Sequence, residues 1–150
     1  MKTNKLIYDA AVKFIGLAEI PGEKSNPAIV QFINEAATWL DDGVKDVDGS
    51  IAWCGCFRGH VGILTGTGVP RSHYRANSWS TWGAAVPLKT SEWQQGDTVV
   101  LKRKGGYHVA LFHSYDGETN KLTLLGGNQG DKVCLAKFGL NDVVSVRRLI

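Results

Sequence analysis

The sequence predicts an α+β domain, with helices in the first half and an antiparallel meander in the second. Apolar residues recur at three- and four-residue spacing as far as about Thr65, the period of a helix with one buried face. From Gly96-Asp97 onward they come instead in short runs separated by glycine, asparagine and aspartate, which is the texture of strands and tight turns. A chain of 150 residues, 43% of them apolar, has the size of one compact domain with a proper core, so residues 1–150 are read as a single domain.

Leu6, Ile7, Ala10, Ala11, Phe14, Ile15 and Leu17 form the first helical stripe, which Ile20-Pro21-Gly22 ends. Asn26-Pro27 supplies an N-cap followed by proline at the first helical position, and Ile29, Val30, Phe32, Ile33 and Ala36 carry a second helix to about Trp39. The stretch from Asp41 to Gly49 is an acidic loop that lacks the ligand spacing and terminal glutamate of a calcium loop. A third helix runs from Trp53 to about Thr65, and Ala76 to Trp82 form a short one. Strands are expected at Thr98–Lys102, Tyr107–Ser114, Leu122–Leu125, Val133–Phe138 and Val143–Arg148. Helices followed by a meander make an α+β layout.

Seventeen Lys plus Arg against fourteen Asp plus Glu leave a net charge of +3. These charges are scattered, whereas a nucleic-acid groove clusters them, so no nucleic-acid partner is expected. Three cysteines, with Cys54 and Cys56 separated by one residue, do not make a disulfide scaffold and read as free thiols. A zinc site would want ligand pairs spaced by two to four residues, and a redox module would want Cys-x-x-Cys, so neither fits. No apolar h-region precedes Asp9, and no stretch approaches the roughly 20 apolar residues of a membrane span. A product made in the cytoplasm without a signal peptide or stable membrane insertion is expected.

The chemistry concentrates at Ala52-Trp53-Cys54-Gly55-Cys56-Phe57, where a cysteine opens a helix. Unpaired N–H groups and the helix dipole at such a position favour a thiolate. A cysteine nucleophile needs an imidazole to take its proton and a polar group to fix that imidazole. His60 lies about 240° round the helix from Cys54 and faces away. His73 sits in a loop with nothing to direct it. His108 starts an apolar strand after Gly105-Gly106-Tyr107 and is the better base, while His113 points to the opposite face. Asn128, after Leu124-Leu125-Gly126-Gly127, is the expected orienter of His108 through its carbonyl oxygen, with Asp131 or Glu118 as substitutes. Cys56, two helical steps or about 200° from Cys54, should point into the core. Cys134 reads as a strand residue without a role.

Trp53-Cys54-Gly55-Cys56-Phe57 resembles the tryptophan, cysteine, small, x, phenylalanine helix start of CHAP-type and NlpC-type cysteine amidases and peptidases. Gly96-Asp97-Thr98-Val99-Val100 resembles their strand opener, Tyr107-His108-Val109-Ala110-Leu111-Phe112 their histidine strand, and Gly126-Gly127-Asn128-Gln129 their third-residue motif. The first half resembles the small phage-lysin-like members at Ile20-Pro21-Gly22, Asn26-Pro27 and Ala76-Asn77-Ser78-Trp79. The chain departs from the pattern in having Cys56 where a non-thiol is commoner and Tyr107 where glycine is frequent.

The resemblance implies a papain-like fold with N-terminal helices packed on an antiparallel sheet of about five strands. It implies a monomeric peptidoglycan hydrolase that cuts an amide bond without metal or organic cofactor, either as N-acetylmuramoyl-L-alanine amidase or as peptide endopeptidase. Cys54 would attack, His108 would move the proton, Asn128 would hold His108, and the Cys54 N–H would help to bind the oxyanion. Tyr107, Trp53, Trp79 and Gln129 would bind substrate, although Trp79, Trp82 and Trp93 read more readily as core than as groove walls. A phage or prophage endolysin, acting on the cell wall or periplasm after release, is the expected context. An antibacterial effector toxin and a non-catalytic wall-binding domain are the alternatives.

Overall fold

A computed structural model describes residues 2–21, 25–36 and 52–150. It is an α+β structure in which, among the described residues, three helices lie on one face of a six-stranded antiparallel sheet. The helices are α1 (Lys2–Val12), α2 (Pro27–Ala36) and α3 (Cys54–Thr65). The strands are β1 (Ala84–Ala85), β2 (Thr98–Arg103), β3 (Gly106–Asp116), β4 (Lys121–Gly126), β5 (Cys134–Gly139) and β6 (Val143–Arg148), arranged β1-β6-β2-β3-β4-β5. The five expected strands are present. The additional β1 is two residues long and pairs with the end of β6. The acidic stretch from Asp41 to Gly49 and the expected helix end at Trp39 lie outside the described residues.

Two expected helices differ from their sequence reading. The first stops at Val12, five residues before the apolar stripe does, because Phe14, Ile15 and Leu17 donate to Ala11, Val12 and Phe14 and so close tight turns. Phe14 is thereby set edge-on against both Phe32 and Phe57, so the stripe stays in the core while the helix ends. Ala76–Thr81 is a 3-10 turn, with Trp79 fully buried inside it. The second helix starts as expected, with Asn26 Oδ1 accepting from the Ala28 N–H at 3.0 Å.

The sheet buries both faces. On the helix side Ile7, Ala11, Phe32, Ile33, Trp53, Cys56 and Phe57 pack against Leu111 and Leu125. On the other side Val99, Leu101, Ala110, Phe112, Leu124 and Val146 close over Trp93 and Val86. Fully burying one such large side chain contributes about 1.5–3 kcal/mol, so the two layers hold the sheet between them.

Two polar features fix the frame around the site. Asp97, fully buried, accepts from Asn4 Nδ2 (2.7 Å), the Gln94 N–H (2.8 Å) and both Nε and Nη2 of Arg148 (2.7 and 2.8 Å). The Gly-Asp strand opener therefore ties α1, β2 and β6 together. Gly96 is required beside it, since a Cβ there would lie 2.5 Å from the Asn4 carbonyl oxygen and its φ is +93°. Arg58, on α3 one turn after Cys54, is also buried. It donates to Thr98 Oγ1 from Nε (3.2 Å) and Nη2 (3.1 Å) and lies 4.5 Å above the Trp79 ring. Burial pulls its pKa down to about 9, so the guanidinium remains charged at neutral pH and fastens α3 to β2.

Candidate active site

Cys54 is the first residue of α3, and Trp53 before it takes φ −112° and ψ 16° with no side-chain cap. Without a capping side chain, the first N–H groups of the helix are left to the sulfur and to a ligand. Trp53 is held in the core with its indole N–H donated to Glu19 Oε2 at 2.8 Å. This anchors the helix start and corrects the expectation that Trp53 contacts substrate. Trp79 is corrected for the same reason: it is fully buried, with Nε1 donating to the His73 carbonyl. Trp93 is likewise core, bonded to the Pro87 carbonyl at 2.7 Å.

Cys54 and His108 line one pocket of about 260 Å³, with Tyr107, Asn128, Gly105-Gly106 and the basic pair Arg103-Lys104 around it. His108 stands on β3 opposite Leu101 of β2, and its ring stacks on Phe138 of β5 at 5.3 Å and 24°. The residue after it, Val109, faces the helices in a cluster with Cys54, Val100 and Trp79. The start of β3 therefore brings an imidazole and a helix-borne thiol to the same opening from the two faces of one strand. Tyr107 is 43% exposed and lines the same pocket.

The partner of His108 is Gln129. His108 Nε2 lies 2.9 Å from Gln129 Oε1 in a buried contact, whereas Asn128, the expected orienter, faces the pocket. The physical reason is local. Asn128 takes a left-handed φ of +56° in the turn after β4, and the next residue folds back under the sheet. Gln129 also has one carbon more, which lets it reach the Leu124 and Cys134 carbonyls as well as the imidazole. The glycines before it clear the way. A Cβ on Gly126 would lie 2.5 Å from Gln129 Oε1, and one on Gly127 would lie 2.7 Å from the Phe57 Cβ. Gln129 is itself buried, so its expected role in substrate binding is also corrected.

The amide of Gln129 has only one possible orientation. Its Nε2 donates to the Leu124 carbonyl at 3.2 Å and the Cys134 carbonyl at 2.7 Å, which leaves Oε1 as acceptor. An acceptor oxygen requires the proton of neutral His108 to be on Nε2. Nδ1 then keeps its lone pair.

Burial dominates the electrostatics. It pushes the Cys54 thiol up, against the backbone N–H groups of Val109, Gly55 and Cys54 itself and the charge of Arg103, all of which pull it down. The expectation that the helix start ionises the thiol is therefore corrected: those N–H groups act, and desolvation outweighs them. Burial also pulls His108 down to about 4. Its bond to Gln129 opposes that shift, and Arg103 reinforces it. Burial thus works against charge on both groups, the thiolate and the imidazolium alike.

The remaining titratable residues stand apart from the pocket. Cys56 is fully buried and raised to about 12 by desolvation and then by Cys54, which removes it as a nucleophile at neutral pH. His60 donates from Nδ1 to Glu35 Oε1, 2.7 Å away, and packs edge-on against Phe14. His113 stacks on Tyr8 and bonds to its hydroxyl. His73 is buried against Gly59, where a Cβ would collide with its ring. Cys134 donates to the Gln129 carbonyl at 3.3 Å, so it helps to shape the turn that its sequence left without a role. Among the described residues no group of three or more His, Cys, Asp or Glu is placed to hold a metal ion, and no helix is long and apolar enough to cross a membrane.

No protein-family model and no curated protein matches the chain. Among solved structures it is similar in fold to two mutated forms of the resuscitation promoting factor interacting protein RipA. For one the TM-score is 0.58 at 18% identity, and for the other 0.58 at 17%. Each match covers 99% of this chain and 62% of the RipA chain. At this identity the likeness establishes the fold, a papain-like arrangement of helices on an antiparallel sheet.

Proposed function

We propose that the protein is a peptidoglycan hydrolase that cleaves an amide bond by cysteine nucleophilic catalysis, with Cys54, His108 and Gln129 as its catalytic group. One observation carries this reading: a helix-initiating thiol shares a pocket with an imidazole whose Nε2 is committed to a fixed amide oxygen. That arrangement leaves Nδ1 free as the base. The motif resemblance to CHAP-type and NlpC-type amidases and the fold likeness to RipA support peptidoglycan as the substrate class.

The steps start from a neutral pair, the state that burial favours. The Cys54 sulfur attacks the carbonyl carbon while its proton passes to His108 Nδ1, and Gln129 Oε1 stabilises the imidazolium through Nε2–H. Closing the pocket on substrate excludes water, so charge arises only as the carbon–sulfur bond forms. The oxyanion is met by the Cys54 N–H at the helix start, a kind of contact worth about 10²–10³ in rate. His108 returns its proton to the leaving amine as the carbon–nitrogen bond breaks. A water, deprotonated by the same Nδ1, then hydrolyses the thioester to a carboxylic acid and restores the thiol. No cofactor enters the sequence.

Cys54→Ala should fold normally and lose release of soluble fragments from purified peptidoglycan by at least about 10³-fold. Undiminished release by that variant would overturn the cysteine mechanism. Mass spectrometry of the wild-type products from defined muropeptides identifies the bond. A free muramic lactyl group marks an amidase, and an intact muramoyl–alanine link marks an endopeptidase. We assign the site of action to the cell wall, reached after release from the cytoplasm, a route shared by endolysins and delivered effectors.

A further inference from the structure

A second cavity, of about 760 Å³, adjoins the one that holds Cys54 and His108 and is nearly three times its size of about 260 Å³. Its walls carry Lys102, Arg103, Lys104 and Lys137, with Leu101 and Phe138 as apolar surface and one carboxylate, Asp142. Two features join it to the catalytic pocket. Arg103 and Lys104 line both cavities, and the Phe138 ring that lines the larger one is the ring stacked on His108.

The charge of this cavity is not matched by the protein. None of its four cations makes an ion pair among the described residues, whereas Arg148 and Lys5 elsewhere on the surface do. Lys137 has a further carboxylate, Asp116, within electrostatic range. Cations gathered within about one Debye length, roughly 8 Å at physiological salt, repel one another unless an anion lies among them. The volume is that of a site for several residues of peptide.

We propose that this basic cavity is an extended subsite that binds a free carboxylate of the wall peptide on one side of the scissile amide. The inference rests on the peptidoglycan reading above and specifies its substrate: a stem peptide in the acid form, preferred over its carboxamide. Peptide fits better than a detached anionic polymer, because the cavity opens from the catalytic pocket and shares two side chains with it. A chain held at Cys54 would run directly into it.

The test uses the full chain and a pair of muropeptides that differ only in one stem carboxylate, free or amidated. Hydrolysis of the acid should exceed that of the amide about tenfold in kcat/KM, carried by KM, and the ratio should shrink with added salt. Lys137→Ala, an exposed change, should bring the two peptides close to parity, and Lys137→Glu should reverse the preference. Equal hydrolysis of both peptides by the wild type would overturn the subsite. So would an undiminished preference in Lys137→Ala, or competition by an anionic phosphate polymer without discrimination between the peptides. Binding to Cys54→Ala, followed by calorimetry, separates the two levels of the proposal. If the wild type cleaves neither peptide but Cys54→Ala binds the acid more tightly, the hydrolase reading fails and the subsite stands.

Discussion

The two ends of the catalytic pocket specify direction by different means. At the thiol end Cys54 and Cys56 are two steps apart on a regular helix, so about 200° of rotation sends one to the pocket and the other to the core. At the imidazole end Asn128 and Gln129 are adjacent residues of a turn in which Asn128, Gly130 and Asp131 all have positive φ. There the left-handed backbone decides which amide meets His108. A regular element converts sequence spacing into orientation, and a turn does so only once its dihedral angles are known.

The largest test of that contrast is at Gln129. If its oxygen fixes the His108 tautomer, Gln129→Ala should lower kcat on the order of 10²-fold, because Nε2 loses its acceptor and the proton is no longer held away from Nδ1. Gln129→Glu places a carboxylate there instead, stabilises the imidazolium and should raise the acid limb of the pH profile. A kcat in Gln129→Ala within threefold of wild type would remove Gln129 from the catalytic group.

The same corner predicts how stability depends on pH. Burial lowers His108 from the ordinary 6.5 to about 4, so between those values the unfolded chain binds a proton that the folded chain does not. Stability is then full above about pH 6.5 and is lost as pH falls toward 4, by about 3 kcal/mol from this residue. Burial shifts His73 in the same direction. Thermal melts from pH 7 to 4.5 should show a falling Tm. His108→Gln keeps an amide N–H for Gln129 and should flatten part of that fall, leaving the share due to His73. A pH dependence identical to wild type in His108→Gln would mean that folding leaves the pKa of His108 unchanged.

The sequence carried the order of elements, the five long strands, and the placing of Cys54 at a helix start and His108 near a strand start, because each of these rests on periodicity or on residue chemistry. It misplaced what tertiary contact decides. The first helix ends at Val12 because the turns that follow direct Phe14 against Phe32 and Phe57. Trp53 and Trp79 are anchors because Glu19 and the His73 carbonyl accept their indole protons, and those partners lie far away in sequence or in an irregular loop. The thiol is pushed up and not down because desolvation, which no local motif encodes, exceeds the effect of the helix N–H groups. One signal was available for Gln129. Gly126-Gly127 before a short amide and a longer one marks a tight approach, and the longer amide has the reach to turn back.

The smallest expected effect separates the two amides. Asn128 supplies a left-handed turn residue at the pocket wall, and the side-chain hydrogen bond of the imidazole goes to Gln129 instead, so Asn128→Gly, which adopts φ of +56° without strain, should leave kcat within a few-fold of wild type. Asn128→Ala forces a Cβ-bearing residue without a stabilising side chain into that conformation and should cost about 1 kcal/mol of stability, read as a lower urea midpoint with an unchanged slope. Were Asn128 the orienter of His108, glycine there would depress kcat as strongly as alanine at position 129. Side-by-side kinetics of Asn128→Gly and Gln129→Ala therefore assign the tautomer-fixing bond to one residue. The geometry requires that only the second variant be crippled, since only Gln129 combines an acceptor 2.9 Å from Nε2 with a donor nitrogen already engaged by two backbone carbonyls.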